Sequence, residues 1–95
     1  MKRFIPLGLF ALTLTGAAAA VWTPPDIAAY VERRKGCNHF GGEEGYDKAR
    51  REEINRAVAK LNCNAIDGDE KALLRRYRHA PPQLQQIHAA KDALL

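Results

Sequence analysis

The first twenty residues constrain this chain most, because they read as a segment that is removed before the rest folds. Met1-Lys2-Arg3 gives a short positive start, and Phe4 to Thr15 is apolar apart from threonine and glycine. Gly16 and the run Ala17-Ala18-Ala19-Ala20 then offer small residues at both positions a signal peptidase reads. This layout predicts a secretory signal peptide over 1–20, cut after Ala20 or one or two residues earlier. No cysteine follows the apolar run, so lipid attachment at the cut is not expected. The competing reading is an uncleaved anchor, since Phe4 to Trp22 carries no charge over 19 residues. Pro6, Gly8, Gly16 and a second half made mostly of alanine and threonine weigh against it, alanine adding little to membrane insertion.

A single small domain over 21–95 remains, expected in the periplasm with no stable membrane span. The whole chain is +4, but without Lys2 and Arg3 it holds 13 basic against 11 acidic residues, a net +2. That balance is no electrostatic footprint for nucleic acid. The basic clusters Arg33-Arg34-Lys35, Arg50-Arg51 and Arg75-Arg76-Arg78 have acids nearby in Glu32, Glu52-Glu53 and Asp69-Glu70. They read as solvated helix faces laced with ion pairs.

Cys37 and Cys63 are the two cysteines, and both lie in the exported part. In an oxidising compartment they are expected to pair. Closing that span should stabilise the fold by about 3.5 kcal/mol on the chain-entropy account. A domain this small builds only a marginal core, so a staple is in keeping with its size. A Cys-x-x-Cys spacing, which would point to redox or thiolate–metal chemistry, is absent.

The pattern along the chain predicts an all-α fold, a small bundle of about four short helices stapled by one disulfide. Thr23-Pro24-Pro25-Asp26 is a start signal, with threonine capping and Asp26 at the capping-box position. Ile27, Tyr30, Val31 and the Arg34 stem then recur at helical spacing until Gly36 closes the run. Asp47 opens a second helix to about Asn62, with Ile54, Ala57, Val58 and Leu61 on one stripe. Asp67-Gly68-Asp69-Glu70 repeats the capping logic before Leu73, Leu74 and Tyr77. It lacks the ligand spacing of a calcium loop. His79-Ala80-Pro81-Pro82 ends that helix, and the prolines open a fourth through Leu84, Ile87, Ala90 or Lys91, and Leu94. With Cys37 just past helix one and Cys63 just past helix two, residues 38–46 would run back along helix two as a strapped loop.

That loop, from Gly36 to Asp47, is the candidate site. Within twelve residues it holds four glycines, a histidine, two aromatics and three carboxylates. As a recognition surface it offers His39, Phe40, Glu43, Glu44 and Tyr46. His39, Glu43 and Glu44 could supply metal ligands, although their spacing fits no defined site, so neither metal nor cofactor is assigned. A Glu–His pair could act as a general base, though so small a domain leaves little material for a pocket. A structural role stands beside these. The acids would suit the start of helix two, and Phe40 and Tyr46 could tuck under the loop. The glycines could serve only turns with positive φ. Serine is absent from the chain, so no serine nucleophile exists, and a bonded cysteine cannot be one.

The run Cys37-Asn38-His39-Phe40-Gly41-Gly42-Glu43-Glu44-Gly45-Tyr46-Asp47, followed by Arg50-Arg51, Cys63, Asp69-Glu70 and Leu74-Arg75-Arg76-Tyr77, resembles a family of small exported proteobacterial proteins. These share a Cys-x-His-aromatic-x-Gly-Glu-Glu stretch and a later Leu-Arg-x-Arg-Tyr-like segment. The chain departs at Gly45, where the family pattern has proline. The resemblance implies export and a shared fold, and carries no activity. A fainter likeness to secreted domains related to lysozyme inhibitors fails on spacing, because Glu53 stands ten residues before Cys63. The expectation is a non-enzymatic periplasmic interaction protein whose partner is a periplasmic or cell-envelope protein. An inhibitor of an envelope enzyme is one member of that class. A metal-binding protein and a small Glu–His hydrolase are the alternatives.

Overall fold

Two prolines set the start of the first helix, since their fixed φ suits a first turn that needs no amide donors. The computed structural model describes residues 21–95, and the proposed signal peptide lies outside the described residues. Helix α1 spans Pro25–Gly41, α2 Lys48–Lys60, α3 Ile66–Arg76 and α4 Pro81–Ala90, with a 3-10 turn at Cys63–Ala65 before α3. The fold is all-α, with no strand among the described residues.

Gly36 does not end α1. It is buried within the helix, and a Cβ there would come within 2.6 Å of Leu61 Cδ1. Its missing side chain admits α2 against α1, a close approach that a single-sequence pattern reads as a stop. The helix therefore runs five residues further, carrying Cys37, His39 and Phe40 with it. The expected long strap over 38–46 shrinks to the connection 42–47, because α1 itself carries the chain past the staple and α2 returns to it. Cys37 and Cys63 are bonded, with Cα atoms 5.6 Å apart.

The acidic residues at two helix starts have other work than the capping expected of them. No side chain caps α1 or α3. Asp26 instead accepts from Tyr77 Oη at 2.8 Å and from Arg76 Nη1 at 2.7 Å. At the other end of the α1–α3 pair, Asp69 accepts from Arg33 Nη1 at 2.7 Å. Arg34 is 6% exposed. Its guanidinium donates to Tyr30 Oη at 3.0 Å, to Asp67 at 3.2 Å and to Glu70 at 3.4 Å. Burying a guanidinium is costly unless it is paired, and these three acceptors meet that cost. The arginines of the first basic cluster thus bind across helices, where surface pairs along one helix were expected. Within that cluster Lys35 follows the local pattern, 3.3 Å from Glu32, as Arg50 does in α2, 3.6 Å from Glu53.

α1, α3 and α4 form the core through Ile27, Tyr30, Ile66, Leu73, Ile87 and Ala90, with Val31, Leu74 and Tyr77 against it. α3 runs antiparallel to α1, and α4 runs parallel to it. Asn38 ties the far end of α4, donating from Nδ2 to the carbonyls of Lys91 and Ala93 at 2.8 Å each. Helix α2 stands outside this core. It buries Ile54 alone and packs on α1 and the 3-10 turn. Arg33 reinforces that seat, donating to the carbonyls of Leu61 at 2.9 Å and Asn62 at 3.0 Å.

Candidate functional site

The corner where α1 turns into α2 brings the candidate residues together in two groups. The last turn of α1 supplies His39 and Phe40, whose rings meet edge to face with centroids 4.8 Å apart. The connection supplies Glu43, Glu44 and Tyr46, and the first turn of α2 supplies Arg50 and Arg51. Asp47 caps α2 as expected, its Oδ1 accepting from the Arg50 amide at 2.8 Å.

Glu43 is the inner member of the site. Its carboxylate takes Arg50 Nη2 at 2.6 Å and Nε at 3.2 Å, and its Oε2 lies 3.6 Å from His39 Nε2. The Arg50 hydrogen bonds hold the Glu43 carboxyl below its ordinary range. Gly45 is also turned inward. Its carbonyl accepts from Arg51 Nη1 at 3.3 Å, and a Cβ on it would lie 3.0 Å from Arg51 Cα. Residues 43–46 have no regular structure, and along them half-buried and exposed positions alternate. Glu43 and Gly45 face α2, while Glu44 and Tyr46 face away. Such alternation is what an extended segment produces.

Tyr46 is consequently 81% exposed. It does not tuck beneath the loop, whereas Phe40 is half-buried beside His39. The corner separates what the sequence grouped. Glu43 braces it through Arg50 and Phe40 is half-buried, while His39, Glu44 and Tyr46 are exposed.

Arg50 engages the Glu43 carboxyl on which both chemical alternatives would draw. Among the described residues no three of His, Cys, Asp and Glu converge as a metal-ligand set. His39, Glu43 and Glu44 in particular do not, because Glu43 is drawn to Arg50 while Glu44 is exposed.

Arg50 and Arg51 are the site residues that the sequence pattern missed, having read as part of a solvated basic cluster. The signal was present in the Arg50 position, one turn past the Asp47 cap and seven residues from Glu43. Asn38, inside the predicted loop, serves α4 and not the site. Comparison with protein-family models, with curated proteins and with solved structures returned no match.

Proposed function

We propose that this chain is an exported, non-enzymatic interaction protein that engages a cell-envelope protein through Glu44 and Tyr46. His39 and Phe40 flank that contact, and Glu43 with Arg50 holds it in shape. The observation that carries the reading is Tyr46, an aromatic left 81% exposed on a short, braced connection. Tyrosine is enriched at binding hot spots because its ring supplies area and its hydroxyl a hydrogen bond at small entropic cost. A tethered segment also loses little freedom on binding, which favours affinity. Inhibition of an envelope hydrolase is the form of this function that suits a projecting loop, with Glu44 and Tyr46 entering the enzyme's cleft. Export is supported by the leader-like residues 1–20 and by the disulfide. Among the described residues no helix is long and apolar enough to cross a membrane.

A photo-crosslinking residue placed at position 46 tests this in the exporting cell, with position 88 on the exposed side of α4 as control. The proposal expects one discrete adduct from position 46 that position 88 does not give. The same adducts from both positions, or none from position 46, would contradict it.

A further inference from the structure

The α1–α3 contact is built from one pattern used twice. α1 carries Asp26-x-x-Ala29-x-x-x-Arg33 and α3 carries Asp69-x-x-Ala72-x-x-x-Arg76. Seven residues are two helical turns, so in each helix the acid, the alanine and the arginine share a face. Because the helices are antiparallel, the ends pair reciprocally. Arg33 meets Asp69 and Arg76 meets Asp26, each at 2.7 Å. The four ends, the two alanines and the residues following the alanines, Tyr30 and Leu73, line one groove of about 380 Å³. The pattern is thus self-complementary: two antiparallel copies satisfy each other.

On α3 that capacity is only half used. Among the described residues, Asp69 receives one hydrogen bond, at Oδ2, and Arg76 makes one, from Nη1. Asp69 Oδ1 and the Nε and Nη2 of Arg76 have no partner there. The Asp69 side chain is 47% exposed and that of Arg76 67%. Between them Ala72 is exposed, and one turn before it stands Gly68. A glycine inside a helix weakens it, and nothing within 4 Å would obstruct a Cβ at Gly68. The monomer therefore gives no packing reason for this glycine. A helix laid close across Gly68 and Ala72 would supply one.

We propose that α3 packs antiparallel against α3 of a second copy, about a two-fold axis near Ala72. The charge pattern selects that occupant. Asp69 and Arg76 stand on either side of Ala72, so a two-fold rotation there places Asp69 over Arg76 of the second copy, and Arg76 over its Asp69. An isologous contact makes each pairing twice. The second copy repeats, between molecules, the contact that α1 and α3 already make within one. α2 lies against α1 and not against α3, so the dimer presents two Tyr46 corners.

Charge reversal in two separate proteins tests this by sedimentation equilibrium and native mass spectrometry. Asp69→Arg leaves both ends of the strip positive, and Arg76→Asp leaves both negative. Wild type should self-associate. Each variant alone should lose that by at least about tenfold, since the two-fold doubles every repulsion. An equimolar mixture of the two should regain it as a heterodimer, acid over base at both ends. Both variants also give up an ion pair to α1, so circular dichroism must first show each one helical. If either is unfolded, Asp69→Asn and Arg76→Gln replace them and should each weaken the dimer. Wild type monomeric at the highest soluble concentration would overturn the proposal. So would a dimer indifferent to these substitutions, or two folded reversal variants that fail to combine.

Discussion

Tyr46 and His39 divide the candidate site by what each touches. Tyr46 meets solvent over most of its surface, whereas His39, exposed to a lesser degree, also lies against Phe40 and near Glu43. Tyr46→Ala should therefore leave the melting temperature unchanged while weakening partner binding by about tenfold or more, the scale of an aromatic hot spot. His39→Ala should weaken it less. Calorimetry and a binding titration on the same two variants would check this, and equal losses would make His39 a principal contact and not a flanking one. The sequence made all five site residues visible as a loop rich in aromatic and acidic groups. It could not sort them, because the inward turn of Glu43 depends on Arg50, and Arg50 is placed by the helix that Asp47 caps. The acids of α1 and α3 depart from local expectation for a related reason. Asp26, Asp67 and Asp69 occupy positions where capping is the local expectation, and arginines distant in sequence claim them instead.

Helix starts were legible where a cap or a proline pair marks them, whereas α4, expected to run through Leu94, ends at Ala90. Asp47 begins α2 and the Pro81-Pro82 pair begins α4, as propensity and capping dictate. Gly36 shows the limit. A glycine after an amphipathic run has the form of a helix end, and only the presence of Leu61 opposite it reveals a packing role. Two other glycines turn this into a prediction about sign. Gly45→Ala should cost about 1–2 kcal/mol, because its Cβ meets the Arg51 backbone and the connection must open. Gly68→Ala should add about 0.5–1 kcal/mol in dilute protein, since it gains helix propensity and meets nothing. Thermal denaturation of the two variants side by side decides it, and shifts of the same sign would contradict the account.

At the scale of the whole molecule, a three-helix core carries α2 as an outer arm. The arm is held by Ile54, by the close seat of Leu61 on Gly36 and by the disulfide. Replacing both cysteines by alanine should cost about 2–4 kcal/mol globally. In hydrogen exchange the amides of α2 should lose protection first, while those of α1, α3 and α4 persist. Uniform loss across all four helices would show that α2 is part of the core after all. Stability should also depend on pH at both extremes. Burial pushes the Asp26 carboxyl up, but hydrogen bonds from Tyr77, Arg76 and the Ile27 amide outweigh it, and Arg50 lowers Glu43. Their contribution is complete above their ordinary values of 3.8 and 4.5 and is lost as pH falls below them. Burial raises Tyr30 and Tyr77 above 10.0, and their contribution is lost as pH rises past that value. Denaturant midpoints should fall as pH drops below those carboxylate values and fall again as it rises past 10.0, and midpoints that hold steady at both ends would contradict this assignment. On the proposed function, an exported chain matures into a stapled scaffold for one projecting corner. Intact-mass spectrometry of the protein recovered from the periplasm tests that proposal. The expected mass begins near Val21 and lacks the two thiol hydrogens. An uncut chain with both thiols free would contradict the claim.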